Sequence, residues 1–312
     1  MRVTQSMLSS NMLRNLNTSY NKMSKLQEQM NSGKLVNRPS DDPVIAVKGM
    51  GYRVDLDKNA QFQRNINEAN TWTDTTDEAL DQVGSVLIRV KELIINAAND
   101  TNTTEERQKI SAEISQIREQ LKDVANTKIG DNYIFSGTHT NSPLYDRNNP
   151  DPVTGQNAAL TQDGVKNSIT LNVFDGISMQ VNVQGNEYFK EIDDFMAQVE
   201  TTLQRASTSE EISSALGATF TSDGGATIPA LDNVHNKTLT IRAEVGARQN
   251  RLEMMGNRLS IQEVNVTKQM SKNEDTDYAK AITDMATTES IHQAALSVGA
   301  KIIQQTLVDF IR

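Results

Sequence analysis

The residues of this sequence that could bind a metal are few and scattered. Glu289 and His292 have the Glu-x-x-His spacing that di-iron helices use. A di-iron centre needs two copies of this spacing and two further glutamates on facing helices, whereas the sequence has one copy. His139 and His235 are the other histidines, and no histidine stands in a His-Glu-x-x-His pattern. We therefore predict no metal site, and we expect Glu289 and His292 to occupy polar positions in a helix seam.

Residues for nucleophilic or cofactor chemistry are equally sparse. The chain has no cysteine, which excludes disulfides, thiolate nucleophiles and cysteine-bound zinc. Gly49 and Gly51 resemble the start of a dinucleotide fingerprint, but Val54 occupies the place of its third glycine. Pro43, moreover, is typical of the first turn of a helix and not of the strand that this fingerprint requires. The sequence therefore predicts no enzyme, no catalytic residue and no cofactor.

Charge and hydropathy exclude two further classes of function. The 312 residues carry a formal net charge of -9, whereas nucleic-acid-binding proteins usually have a basic excess. No apolar run approaches the ~20 residues of a membrane-spanning helix, so we expect neither nucleic acid nor membrane as a partner. The first eight residues lack the apolar stretch of a cleavable signal peptide. The net charge is +5 over residues 1–40, -2 over 272–312 and -8 over 141–228, so the two ends attract each other weakly.

Hydrophobic periodicity predicts long helices at both ends of the chain and around the middle. A heptad seam, rich in methionine, runs through residues 12–30 and ends at Ser32-Gly33. Asp42 and Pro43 then provide the cap and the first turn of a new helix. The strongest periodic signal follows, with alternating steps of three and four residues between Ile66 and Ala97, and the same spacing continues from Ile110 to Val124. Two antiparallel helices joined by a short loop are the simplest interpretation.

The middle of the chain has a different character. Residues 169–173 and 177–183 alternate between apolar and polar, and Asp175-Gly176 between them is a strong hairpin signal. Helical spacing returns over 189–203 and again over 231–259. Between them, a capping-box pattern at Thr208–Glu211 predicts a shorter helix. A charged interruption at 272–277 precedes the last helix. Its expected inward face is Ile282, Met285, Glu289, His292, Leu296, Gly299, Ile303, Thr306 and Phe310. The predicted fold is mainly α: a long antiparallel helical rod, with a small β-rich insertion in the middle of the chain.

Two stretches resemble the bacterial flagellin family. Residues 31–46, Asn-Ser-Gly-Lys-Leu-Val-Asn-Arg-Pro-Ser-Asp-Asp-Pro-Val-Ile-Ala, are similar to its N-terminal block. Residues 246–252, Gly-Ala-Arg-Gln-Asn-Arg-Leu, are similar to the start of its C-terminal block. Within the family, Pro43 after the Asp-Asp pair and the stretch Ile134–Thr140 are typical of the subunits that join hook and filament. The resemblance covers roughly residues 1–140 and 230–312, and the insertion at 141–228 matches nothing recognisable.

The resemblance implies a structural role outside the cell. A chain of this kind is a subunit of the bacterial flagellum that forms a ring between hook and filament and is needed for filament assembly and motility. It is secreted through the type III channel of the flagellum, which suits the missing signal peptide. The implied partners are further copies of itself, the hook-side junction protein (hook-associated protein 1), the flagellin filament and an export chaperone that binds the C-terminal segment.

The same resemblance suggests three parts of the chain and an assembly interface. Residues 1–40 with 272–312 are expected to form a terminal helical pair, 41–139 with 187–271 a helical rod, and 140–186 a β-rich outer insertion. Each terminal seam is too thin to be stable alone, and methionine suits surfaces that repack against different partners. We therefore predict assembly through Met12, Leu16, Met23, Leu26, Met30, Ile282, Met285, Leu296, Ile303, Leu307 and Phe310.

Two other functions remain open at this point. A filament-forming flagellin would have the same helices, but it would polymerise into filaments where a junction subunit stops at a ring. A coiled-coil signalling rod is more remote, because such a rod is a longer heptad hairpin without a β insertion and usually follows a membrane span.

Overall fold

A computed structural model describes residues 5–99, 101–145, 167–205, 208–220 and 226–308, with backbone alone for 5–6, 209, 220, 226 and 301–308. Its helices are α1 (Gln5–Ser32), α2 (Pro43–Ala97), α3 (Thr104–Ala125), α4 (Gly185–Arg205), α5 (Ser209–Leu216), α6 (Pro229–Glu274) and α7 (Tyr278–Val308). Its strands are β1 (Lys128–Ile129), β2 (Asn132–Tyr133), β3 (Thr170–Phe174), β4 (Ile177–Gln180), β5 (Thr219–Phe220) and β6 (Ala226–Thr227). The prediction of a mainly α chain with small β elements in the middle is confirmed.

The chain forms two compact units. One comprises residues 1–59 and 260–312, and the other comprises residues 60–259. Because α2 and α6 pass through both ranges, each of these helices contributes to both units. The predicted boundaries at residues 40 and 272 do not coincide with this division, and the predicted three-part organisation stays a prediction.

The 60–259 unit has a helical core that follows the predicted periodicity. On α2 every position of the predicted face is buried: Ile66, Ala69, Thr73, Thr76, Leu80, Val83, Leu87, Val90, Ile94 and Ala97. The two buried threonine hydroxyls on this face donate to carbonyl oxygens one turn earlier, at 3.0 Å for Thr73 and 2.7 Å for Thr76. Polar residues can therefore sit in the seam without leaving a buried hydroxyl unpaired.

Helix α4 packs on α3 and contacts α6. The Arg118 guanidinium donates to both carboxylate oxygens of Asp193, at 2.6 and 2.9 Å. This ion pair raises the pKa of Arg118 above its ordinary value. On the α6 side, the hydroxyls of Tyr188 and Thr238 are 2.7 Å apart and both residues are buried. A bidentate pair and a buried hydroxyl pair thus fix the orientation of α4.

The predicted hairpin forms at the predicted turn. Strands β3 and β4 pair antiparallel on either side of Asp175-Gly176, with a bulge between Asn172 and Phe174. The Phe174 ring stacks on Phe62 at 6.2 Å and lies 4.3 Å beneath the Arg258 guanidinium carbon. The hairpin is therefore attached to the long helices through Phe174, through the buried Val173 and Met179, and through the Asn65 side-chain amide, which donates to the Asn172 carbonyl at 2.7 Å. Two shorter hairpins, β1–β2 and β5–β6, complete the described β structure.

The first prediction concerns this core, and neighbouring residues on α2 provide the comparison. Leu87 is 1% exposed, whereas Ile88 is 53% exposed. We expect Leu87→Ala to lower the free energy of unfolding by about 2–5 kcal/mol, because it leaves a cavity in a close-packed core. Ile88→Ala should change it by less than about 0.5 kcal/mol. Urea unfolding followed by circular dichroism measures both values, and equal losses would contradict the described core.

Candidate assembly site

Helices α1 and α7 pack along one thin seam. The predicted seam residues of α1 are all half-buried: Met12, Leu16, Met23, Leu26 and Met30. None of the side chains described on α1 is fully buried. Gly299 allows close packing at one end, because a Cβ there would overlap the methyl of Met12 at 1.5 Å. The seam therefore exists as predicted but covers each apolar side chain only in part.

The face that α7 turns to α1 differs from the predicted one. The buried or half-buried positions are Ala281, Met285, Thr288, His292, Ala295 and Gly299. Met285 is placed as predicted, whereas Ile282 is 53% exposed and Leu296 48% exposed. Their predicted place in the seam is wrong, because small residues occupy the neighbouring positions and let the helices approach. Ile303 and Leu307 have no described side chain, and Phe310 lies outside the described residues.

The polar positions of the seam are partly as expected. His292 is half-buried and lies 6.4 Å, ring to ring, from Tyr20. Its Nδ1 and the hydroxyl of Ser19 are buried without a hydrogen-bond partner among the described residues. Glu289 is exposed and lies off the seam, contrary to its predicted position. The unpaired polar atoms lower the stability of the α1–α7 pair.

The C-terminal end of α1 and the N-terminal end of α7 meet α2 and α6 in a polar joint that the sequence analysis did not predict. We define the joint as residues 33–35, Gly49, Arg53 and 273–276. Two backbone hydrogen bonds link its strand-like segments: the Leu35 amide donates to the Glu274 carbonyl at 2.6 Å, and the Thr276 amide donates to the Gly33 carbonyl at 2.9 Å. The connection after α1 is thus tied directly to the connection before α7.

Glu274 is the buried centre of the joint. Its side chain is 6% exposed and pairs with the Arg53 guanidinium at 2.6 Å and with the Lys34 ammonium at 3.6 Å. The Lys34 ammonium also lies 2.7 Å from the Asp275 carboxylate. Two cations therefore compensate a carboxylate that burial would otherwise make costly. A carboxylate in a charged stretch is normally read as solvated, so only its partners, distant in sequence, could have identified this residue.

Gly49 makes room for that carboxylate. A Cβ built on Gly49 would lie 1.6 Å from one carboxylate oxygen of Glu274 and 2.7 Å from its carboxyl carbon. In the same contact between α2 and α6, the side-chain amide of Asn273 donates to the Ile45 carbonyl at 3.0 Å. In the Gly49-Met-Gly51 motif, Gly49 therefore allows the close approach of Glu274, whereas Gly51 faces open space.

The local signals around the joint are those the sequence predicted. The Asp42 carboxylate accepts from the amides of Val44 and Ile45, at 2.9 and 3.1 Å, and Pro43 is the first residue of α2. Helix α1 ends one residue before Gly33, which has a φ of +69°. Cap, proline and glycine together place the joint at fixed positions between the helices.

The geometry offers assembly surfaces more than chemistry. Within the described ranges, no group of three or more His, Asp or Glu side chains is arranged to hold a metal ion. The described helices also include none that is long and apolar enough to cross a membrane.

The second prediction compares the two glycines of α2. Gly49→Ala should displace Glu274 from Arg53 and Lys34, so the loss of the ion pairs should exceed the gain of about 1 kcal/mol in helix propensity. Gly51→Ala meets no atom within 4 Å and should be neutral or stabilising. Thermal unfolding of both variants checks this; a Gly49→Ala variant as stable as Gly51→Ala would show that the close approach is unimportant.

The third prediction concerns pH. The hydrogen bond from Lys34, and a second one with Ser271, hold the pKa of Asp275 below its ordinary value. A depressed pKa stabilises the fold above the unfolded-state pKa of about 3.9, and the effect disappears as the pH falls through the lower folded-state value. Because this pair is partly exposed, Asp275→Asn should lower the melting temperature at pH 7 by about 1–3 °C. The difference from the unmodified chain should shrink as the pH falls below about 3.9, and a difference that stays constant with pH would contradict the assignment.

Comparison with known proteins covers both ends of the chain. The sequence matches the family model of the bacterial flagellin N-terminal helical region over residues 3–140 and that of the C-terminal helical region over residues 228–311. Both stretches of the joint, 33–53 and 273–276, lie inside these matches, and the β3–β4 hairpin lies between them.

Individual relatives align over nearly their full length. Flagellar hook-associated protein 3 of Escherichia coli (strain K12) is 28% identical over 298 residues, covering 94% of this chain and 93% of the relative. A flagellin of Bacillus subtilis (strain 168) is 27% identical over 311 residues, covering 98% and 97%. The crystal structure of flagellar hook associated protein-3 from Legionella pneumophila shares the fold, with a TM-score of 0.60 at 14% identity over 71% of this chain and 97% of that one. The chain belongs to the bacterial flagellin family of structural flagellar proteins.

Proposed function

We propose that this chain is the structural subunit that forms the junction ring between hook and filament. The observation that carries the proposal is the alignment with Escherichia coli flagellar hook-associated protein 3 over 93% of that protein. A second hook-associated protein 3, from Salmonella typhimurium, is 26% identical over 95% of its length. In this role the chain is secreted through the flagellar type III channel and acts outside the cell without catalysing a reaction.

The thin terminal seam supports an assembly role. Two helices that bury their apolar side chains only halfway gain little from each other, and neighbouring copies would cover the rest. The predicted interface keeps Met12, Leu16, Met23, Leu26 and Met30 on α1 as residues shared between α7 and neighbours. On α7, the exposed Ile282 and Leu296 are free for neighbouring copies because they lie off the seam. The proposed partners are further copies, hook-associated protein 1, the flagellin filament and an export chaperone at the C-terminal segment.

A filament-forming flagellin is the second candidate. The Bacillus subtilis flagellin aligns over 97% of its length at an identity close to that of the hook-associated proteins. The two functions differ in what is lost without the protein. Without a junction subunit, hooks persist and flagellin escapes unpolymerised, whereas without a flagellin no filament protein is made.

The fourth prediction tests the junction role in a strain that lacks the gene. We expect intact hooks, no filaments and flagellin in the growth medium. The unmodified gene should restore swimming, and so should Ser24→Asp, because Ser24 is exposed. Leu26→Asp should fail to restore it, since a carboxylate in the seam opposes burial. Filaments in the deletion strain would contradict the junction role, and swimming with Leu26→Asp would contradict the role of the seam.

A further inference from the structure

The beginning of α2 carries an exposed apolar stripe. Its members are Val44, Val47, Met50 and Val54, which are 62%, 67%, 59% and 52% exposed. At about 100° per residue these four side chains project from one side of the helix. The covered residues of this segment, such as Gly49, Tyr52 and Leu56, lie on the other side. We call this surface the α2 stripe; a helix face in water is normally polar, so it requires a partner.

The end of α6 carries a second stripe. Ile261 and Val264 are each 64% exposed and are separated by three residues, so they are neighbours on one helix face. Val266 and Met270, which are half-buried, lie on the other side of this helix. We call Ile261 and Val264 the α6 stripe.

The two stripes face away from each other. Within the unit formed by residues 1–59 and 260–312, the covered side of α2 meets the covered side of α6. The side-chain amide of Asn273 donates to the Ile45 carbonyl, and the Glu274 carboxylate lies against Gly49. Each stripe lies on the far side of its own helix from this contact. One helix pair therefore presents apolar side chains in two opposite directions.

The two faces also differ in shape. A cavity of about 190 Å³ opens beside the α2 stripe, and Met50 belongs to both. Its apolar walls are Val36, Pro39, Ile45 and Ala46, and Arg53 and Glu274 of the joint close its polar side. An engineered cavity of about 150 Å³ can hold benzene, so this one has room for an aliphatic side chain. The cavity lies at the Met50 edge of the α2 stripe, on the side of the helix toward the joint, whereas Ile261 and Val264 project from the α6 face.

We propose that the α6 stripe of one copy packs against the α2 stripe and its cavity on the next copy. This inference rests on the proposed function, because it identifies the contact between neighbours in the ring. A projecting patch and an apolar hollow at different places on one chain form a head-to-tail contact, and such contacts close into rings or continue as helices. A two-fold dimer would instead require each surface to match itself.

The size of the surfaces explains why the contact would need the array. The α2 stripe spans eleven residues, about 15 Å of helix. A stable interface between two proteins normally buries about 800 Å² on each partner, more than a single stripe of this length provides. The contact would therefore form when copies are already aligned by the hook and by their terminal helices, and not between free copies in solution.

The absence of cysteine from the sequence makes cross-linking a direct test. The double variant Val47→Cys/Ile261→Cys is expressed in the deletion strain, and isolated flagella are treated with a flexible bis-maleimide. We expect a ladder of cross-linked multimers, because each copy joins one neighbour through each face. Each single variant should remain monomeric on a denaturing gel. The control pair Glu78→Cys/Glu263→Cys, at exposed positions that belong to neither stripe, should give no ladder.

Each other result would overturn the inference. Dimers of a single variant would indicate a two-fold contact, and a ladder from the control pair would indicate contact without specificity. If the double variant does not enter flagella, Met50→Cys/Val264→Cys tests the same two faces. Failure of both pairs to cross-link in flagella that contain the protein contradicts this contact alone. Absence of the unmodified protein from flagella would instead contradict the proposed function.

Discussion

The limited burial that two helices can give each other is the constraint on which this structure depends. Along α1 every described seam residue is half-buried at best, and half of the α7 seam positions are small residues, namely Ala281, Ala295 and Gly299. In the 60–259 unit, by contrast, the same three-four spacing leads to complete burial, because α3, α4 and α6 contribute to one core with α2. The same heptad pattern thus produces a stable core in one unit and an incomplete surface in the other.

The polar joint compensates for the weak seam. Backbone hydrogen bonds between residues 33–35 and 274–276 fix where α1 ends and α7 begins, independently of apolar contacts along the helices. Glu274 gives the joint its specificity, since a buried carboxylate accepts only an arrangement that brings Arg53 and Lys34 to it. That arrangement is sterically possible because residue 49 is glycine and has no Cβ. The terminal helices therefore start from a defined position even though their own contact is thin.

Local rules predicted much of the fold. The cap at Asp42, the turn at Asp175-Gly176 and the buried face of α2 from Ile66 to Ala97 depend on residues close in sequence, and all are found as expected. The α7 seam was misplaced because its inward positions are small or polar residues, and periodicity then favours Ile282 and Leu296. The joint could not be predicted, since Glu274 is recognisable only once Arg53, 221 residues earlier, is known to contact it.

Hydrogen exchange tests most directly whether neighbouring copies complete the terminal seam. Amides of residues 12–30 would be compared with those of residues 80–94, first in the purified chain and then in isolated flagella. The account predicts that in the purified chain the α1 amides exchange at least ~100-fold faster than those of the buried α2 segment, and that assembly removes most of this difference. Equal protection of the two segments in the purified chain would show that the α1–α7 pair is already stable and would contradict the account.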